Sequence, residues 1–423
     1  MDLPYIDIRL PFSKSIGARF LVASYFAGTL DQCPRFNDCD DLRVIQKALL
    51  DLLINEEWLG EGHPSLDVHA SGTAFRFITA VAASTPGADF IVTGTPRLCG
   101  RPMTPLLDVL RKAGASIEAL GENGTGPYRI IGRRLKGGDF EIRGDVSSQF
   151  ISALMLTAPT WKGGMRLRFT TPLVSRPYAE MTARVMENFG IGVRFSDEGV
   201  EVSEGEYLAP ADFKGETDWS AAGFFYEATI ISRPLMLRLE GLTPHGESLQ
   251  GDSATVEIFR RLGIDSTFTD KGVEINASTY LPDFIEADMT HTPDLVPALV
   301  AGCVASGCRF HLTGVRNLRV KESDRLEALR REMLKLGRHL DVGEDHIAWT
   351  GGSTGLESRD IETYSDHRIA MAFAVMALHY GVMRIHHPEV VEKSFEDFWN
   401  QLPRLGLTCR RDGEYMVVTR ERW

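Results

Sequence analysis

Ser365-Asp366-His367-Arg368, followed at once by the apolar run IAMAFAVMAL (369–378), is a polar cluster opening into a helix too apolar to face water. Five more stretches repeat the arrangement. Ser13-Lys14-Ser15 precedes FLVASYFAG (20–28), Ser71-Gly72-Thr73 precedes AFRFITAVAAS (74–84), and Ser147-Ser148-Gln149 precedes FISALMLTAP (150–159). Asp218-Trp219-Ser220 precedes AAGFFYEATII (221–231), and Thr292-Pro293-Asp294 leads into LVPALVAGCVASG (295–307). The openings recur every roughly 60 to 75 residues, a longer period than in solenoids. This predicts six copies of a small α/β subdomain, arranged as two lobes of three.

A helix start exposes unpaired backbone N–H groups and the positive end of the helix dipole, which together favour an anion. Ser, Thr and Asp are also the ordinary N-cap residues, so each opening taken alone reads first as a cap. Several carry more than a cap needs. Lys14, Arg76, Arg101, Arg368 and Lys393 lie in or beside such short polar stretches, with Arg19, Arg97, Arg176, Lys321 and Arg325 close by. An anion-filled cleft is the expectation.

Composition bounds the reading. The 423 residues suffice for two domains of about 200 each. Apolar and charged fractions of 43% and 25% are those of ordinary globular proteins, and a net charge of −12 argues against nonspecific nucleic-acid binding. The six cysteines form no CxxC pair and no metal-finger spacing, so neither a disulfide framework nor structural zinc is expected. MDLPYIDIRLPF (1–12) lacks the apolar core of a signal peptide, and no uncharged run approaches about 18 residues. A cytoplasmic protein without membrane association is expected.

Short β-like runs alternate with helices. DFIVTG, RLRFT, GVRF, GVEV, LMLRLEG, CRFHLTG and MRIHH read as strands; DDLRVIQKALLDLL, MTPLLDVLRKAGA, YAEMTARVMENFG, SATVEIFRRLG and ESDRLEALRREMLKLG read as amphipathic helices. Gly190, Gly263 and Gly337 close three of them as C-caps. The predicted lobes are 13–216, and 1–12 with 217–423, joined by a seam near Lys214 to Thr217 and a second crossing near Pro11.

Arg319-Val320-Lys321-Glu322-Ser323-Asp324-Arg325 packs five formal charges into seven residues. A solvated helix end with local ion pairs is the ordinary reading of such a run. Here, however, cations bracket the acids, and Lys321 and Arg325, four apart, are expected to face one way and clamp a polyanion. Ser365-Asp366-His367-Arg368 reads as a cap or as a catalytic tip, Asp366 in the plainer case capping the helix and His367 being a core histidine. Arg368 heads a buried helix and requires an anionic partner.

The ordered set Leu10-Pro11-x-Ser13-Lys14-Ser15, Asp40-Asp41-x-Arg43, Ser71-Gly72-Thr73-Ala74-x-Arg76, Gly94-x-Pro96-Arg97-x-x-x-Arg101-Pro102, Val146-Ser147-Ser148-Gln149-Phe150, Ser175-x-Pro177-Tyr178, Arg319 to Arg325, and Asp366-His367-Arg368-x-Ala370-Met371 closely resembles the 5-enolpyruvylshikimate-3-phosphate synthase family. The resemblance runs from about Leu10 to Leu402. It implies a two-lobed inside-out α/β barrel of six βαβαββ-type units, three per lobe, the enolpyruvyl transferase fold. It also implies transfer of the carboxyvinyl group of phosphoenolpyruvate to the 5-hydroxyl of shikimate 3-phosphate, releasing phosphate, in chorismate and aromatic amino acid biosynthesis.

Matched position by position, the resemblance implies shikimate 3-phosphate contacts at Ser15, Arg19, Ser147, Ser148, Gln149, Ser175, Tyr178, Asp294, Asn317 and Lys321. It implies a phosphoenolpyruvate site at Lys14, Gly72, Arg101, Gln149, Arg325, Arg368 and Lys393. Asp294 resembles the base and Glu322 the acid, with Lys14 or Lys393 beside it; these four are the implied catalytic residues. No metal or cofactor is implied. The expected partners are the two small substrates, with no nucleic acid or membrane, on a monomer whose lobes close around its ligands.

Some positions depart from the family pattern: Phe12 stands where Gly is usual, Ala70-Ser71 replaces Asn-Ala, Phe77 replaces Pro, and the segment 41–71 is short, which predicts a trimmed outer sheet in one unit. UDP-N-acetylglucosamine 1-carboxyvinyltransferase, the alternative within the fold, carries Lys-Asn where this chain has Lys14-Ser15 and a reactive Cys several residues ahead of its loop Arg. Cys99 lies only two before Arg101. A non-catalytic ligand-binding relative is the alternative of another class.

Overall fold

A computed structural model describes residues 5–36, 39–54, 63–211 and 215–421. Lys214, where the sequence places the start of the seam, lies outside them, as do residues 55–62 of the short segment. The chain forms two compact units, one of Met1–Ser13 with Glu216–Trp423 and the other of Lys14–Gly215.

The described strands form five four-stranded sheets that share one topology. In each, the first two strands in chain order are parallel and the last two add antiparallel, the fourth strand lying between the second and the third. Phe284–Asp288, Arg309–Thr313, His346–Trp349 and Asp341–Val342 are one example, in spatial order. Parallel neighbours need a crossover, supplied here by the helix Val296–Ser306. The resulting order is βαβαββ.

The unit Lys14–Gly215 contains two such sheets, in addition to the helices Lys14–Phe26 and Asp40–Leu53, which have no sheet of their own among the described residues. The other unit contains three, and the first of these is split. Its opening strand Ile6–Ile8 pairs in parallel with Met236–Glu240, so the whole of the other unit is inserted between that strand and its crossover helix Trp219–Ile231. The two crossings lie side by side: Ser13 N donates to Glu216 O (2.8 Å) and Asp218 N to Pro11 O (2.9 Å). Gln250 fastens both, its Oε1 accepting from Ser13 Oγ (3.0 Å) and Trp219 N (3.0 Å). The Phe12 backbone forms an isolated bridge with Thr217 here.

Burial follows the periodicity. Phe284–Asp288 buries alternate residues, so one face of its sheet meets the helices. The six apolar helices are interior: Trp219 to Ile230 are all buried, as are Val296 to Ala305 and His367 to Val375. Gly190, Gly263 and Gly337 follow helices in the left-handed region at φ +79°, +77° and +74°.

Four of the six openings are side-chain caps. Ser71 Oγ accepts from Ala74 N, Ser147 Oγ from Gln149 N, Asp218 from Ser220 N and Ala221 N, and Asp366 from Arg368 N. Thr292 makes no such bond; Asp294 sits in a 3₁₀ turn, Pro293–Leu295, ahead of its helix. The charged run also differs from its expectation. Asp324 caps the helix Arg325–Lys335, which leaves Lys321 outside it in an extended conformation. Lys321 and Arg325 therefore do not share a helix face. They converge through a turn instead.

Candidate active site

In the unit containing Glu216–Trp423, that convergence centres on Asp294. Arg325 Nη1 donates to its Oδ1 at 2.8 Å, Arg368 Nη2 to its Oδ2 at 2.9 Å, and Lys321 Nζ lies 3.6 Å away. Burial would raise the Asp294 carboxyl, but Arg368, Lys321 and Arg325 together outweigh it and hold the group well below the usual carboxylate range. Asp294 is therefore ionised throughout the neutral range. Burial in turn lowers the Lys321 ammonium, against the pull of Asp294.

Arg325 is 1% exposed and is enclosed by acids. Its Nε donates to Asp366 Oδ2 (2.8 Å) and its Nη2 to Glu322 Oε2 (2.8 Å), in addition to the Asp294 bond. Burial opposes its charge, yet Asp366, Glu322 and Asp294 reverse the effect and fix the guanidinium as a cation. Asp366 is fully buried and serves twice, capping the helix His367–Val375 and, with Ser323 Oγ at 3.0 Å, orienting Arg325. Lys393 Nζ stands 3.8 Å from the other oxygen of Glu322. Asn317 lies in the neighbouring 3₁₀ turn Arg316–Val320.

The pairing of Asp366 with Arg325 escapes a sequence reading, because the two lie 41 residues apart. A further acid, Asp252, gives no local signal at all. It is buried, accepts from Ser220 Oγ, and its carboxyl is pushed up to about 6 by burial and by the charge of Asp294.

The unit Lys14–Gly215 holds a second set. Lys14 Nζ lies 3.2 Å from Asp41 Oδ2, both largely buried. Gln149 joins two helix starts: its Oε1 accepts from Arg76 Nη1 (2.7 Å) and its Nε2 donates to Thr73 Oγ1 (3.1 Å). Gly72 is packed under guanidiniums, since a Cβ there would stand 2.7 Å from Arg101 Nη1 and 2.8 Å from Arg76 Nη1. Ser147 and Ser148 open the helix beside Gln149, and Ser175 precedes the helix Arg176–Asn188 in the left-handed region at φ +52°.

Arg19 is 2% exposed and threads this set together. It donates to Thr182 Oγ1 (2.7 Å), Ser15 O (2.6 Å), Ser152 Oγ (3.1 Å) and Tyr178 O (2.9 Å). These four acceptors are neutral, and among the described residues no carboxylate offsets the charge; burial pushes its pKa down to about 10. The Phe77 ring, 5.7 Å from the guanidinium carbon, faces it. Phe77 thus supplies a cation–π surface, and Ser71 supplies the cap of the Gly72–Ser84 helix. Cys99 is buried, with its Sγ 3.5 Å from Gly94 O, in the short helix Pro96–Cys99.

Paired cations on a largely buried carboxylate, an acid within reach of a lysine, and serine-rich helix starts suit phosphate and carboxylate chemistry. The sequence profile described as EPSP synthase (3-phosphoshikimate 1-carboxyvinyltransferase) matches residues 6–402. The chain belongs to the EPSP synthase family. A 3-phosphoshikimate 1-carboxyvinyltransferase of Bacteroides fragilis is 39% identical over 403 residues, 95% of each chain. One from Pseudoalteromonas atlantica is 32% identical over 416 residues, covering 94% of this chain and 95% of that one. Among solved structures, an EPSP synthase from Acinetobacter baumannii superposes with a TM-score of 0.73 at 26% identity, over 95% of this chain and 96% of that one. The fold is accordingly the two-domain α/β enolpyruvyl transferase fold. No described helix is long and apolar enough to cross a membrane.

Proposed function

We propose that the protein transfers the carboxyvinyl group of phosphoenolpyruvate to the 5-hydroxyl of shikimate 3-phosphate and releases phosphate. The observation that carries the proposal is Asp294 ionised and held by Arg325, Arg368 and Lys321. The reaction forms a bond from the acceptor oxygen to C2 of phosphoenolpyruvate, moves the hydroxyl proton to a base, supplies a proton to C3 and later removes one, and breaks the C2–O bond to phosphate. A base, an acid and fixed cations are what it requires.

Asp294 is the base. Without ligand it is a weak one, because three cations stabilise its charge. Anionic substrate groups landing on Arg368, Arg325 and Lys321 offset those cations and raise its basicity toward the acceptor hydroxyl. Glu322 is the acid, with Lys393 beside it. Arg325, Arg368, Lys393, Arg101 and Lys14 take the phosphate and carboxylate of phosphoenolpyruvate; Gly72 lets Arg101 approach, and Gln149 is shared with the acceptor. Ser15, Ser147, Ser148, Ser175, Tyr178, Asn317 and Lys321 receive the acceptor, and Arg19 offers a buried charge that its neutral partners leave unbalanced. Burial of Cys99 disfavours a role for that thiol as the reactive loop Cys of the UDP-N-acetylglucosamine enzymes.

Proton NMR of the protein with both substrates tests this. Paired vinyl resonances of a new enol ether, appearing in step with inorganic phosphate, are expected; unchanged phosphoenolpyruvate in the presence of shikimate 3-phosphate would refute it.

A further inference from the structure

The strand Val382–His386 runs into two consecutive histidines that the proposed reaction does not use. His386 Nε2 lies 3.4 Å from Glu414 Oε2. Nitrogen and oxygen ligands bound at 2.0–2.1 Å around a tetrahedral metal stand about 3.3 Å apart, so this pair already has the separation of two metal ligands. His387 completes the set: one ligand atom from each of His386, His387 and Glu414 falls within 4.8 Å of the other two.

Each imidazole has a carboxylate at Nδ1. Glu362 Oε2 is 2.6 Å from His386 Nδ1, and Glu389 Oε1 is 3.1 Å from His387 Nδ1. A carboxylate on Nδ1 fixes the tautomer that leaves Nε2 as a lone-pair donor and increases its basicity. The backbone is fixed too. His386 pairs with Tyr415 in the sheet, His387 N donates to Glu414 O at 2.9 Å, and His387 adopts φ +47°, which is costly for a residue with a Cβ.

We propose that His386, His387 and Glu414 form a binding site for a divalent transition metal of the zinc type, through two imidazole Nε2 atoms and one carboxylate oxygen. Imidazole donors favour zinc, nickel or copper over magnesium or calcium. Water fills the remaining position, because the site faces solvent: the Glu414 side chain is 73% exposed. His387 also precedes the 3₁₀ turn Pro388–Lys393, so the bound metal ties down the start of the segment that carries Lys393.

Calorimetric titration of the chelator-treated full-length protein with zinc chloride tests the site. A single equivalent is expected in the wild type, absent in His387→Ala, and weakened about tenfold or more in Glu362→Gln. The cysteines are unchanged in these variants, so zinc held by thiols appears equally in all of them. Glu414→Gln, at an exposed position, reports the same loss should His387→Ala fold poorly. Zinc should also raise the melting temperature of the wild type and not of Glu414→Gln, and magnesium should raise neither. No stoichiometric binding, or equal binding by wild type and both ligand variants, would overturn the proposal and leave the cluster as an ion-pair network.

Discussion

A methyl group on Gly72 would collide with the guanidiniums of Arg101 and Arg76 at 2.7 and 2.8 Å, and both side chains must retreat to admit it. Gly72→Ala is therefore expected to weaken phosphoenolpyruvate and its analogue glyphosate by about tenfold or more, the usual effect of one methyl in a fitted pocket. Inhibition constants for glyphosate measure it, and an unchanged constant would show that Arg101 moves without consequence. Asp366 separates two roles that coincide in one side chain. Asp366→Asn keeps an oxygen for the Arg368 N cap but replaces the oxygen that accepts from Ser323 Oγ and Arg325 Nε with an NH₂ group and removes the charge opposite Arg325. Because Asp294 and Glu322 remain, the expected loss in urea denaturation is about 2 to 3 kcal/mol, below the range for a fully orphaned buried charge. A loss no larger than about 1 kcal/mol would mean that the cap alone matters.

At the scale of elements, the helix Trp219–Ile231 contains one anomaly. Glu227 is fully buried, neither of its oxygens has a hydrogen-bond partner among the described residues, and burial pushes its carboxyl well above the ordinary 4.5. The folded protein thus keeps a proton that the unfolded chain releases above about pH 4.5, so folding stability falls as pH rises from there toward the folded pKa. Glu227→Met removes that cost. Its melting temperature should exceed the wild-type value, by more at pH 8 than at pH 5; a gain independent of pH would contradict the assignment. Elements were also the most legible scale in the sequence. Period and punctuation place the helix Asp40–Leu53 and the strand Gly199–Val202 to the residue. The Arg319–Arg325 run was harder, because Asp324 capping the helix breaks the four-residue spacing that Lys321 and Arg325 display in sequence. The partners of the site cations were not legible: Lys14 meets Asp41, Arg325 meets Asp366, and Arg19 rests against Phe77, each across separations that no local pattern encodes.

At the scale of the molecule, one βαβαββ unit is split so that its first strand precedes the inserted unit and its first helix follows it. The two crossings this creates are fastened by Gln250 and Glu216, which places a small polar cluster where the chain passes between units. The chemistry assigned to the whole chain rests on Asp294, the carboxylate that three cations hold ionised. The most direct measurement is the rate of phosphate release from phosphoenolpyruvate, with shikimate 3-phosphate or UDP-N-acetylglucosamine as acceptor, for the wild type and Asp294→Ala. Release with shikimate 3-phosphate alone, lost in Asp294→Ala while the variant still binds that acceptor, is the predicted result. Release with the nucleotide sugar, or undiminished release by Asp294→Ala, would contradict it.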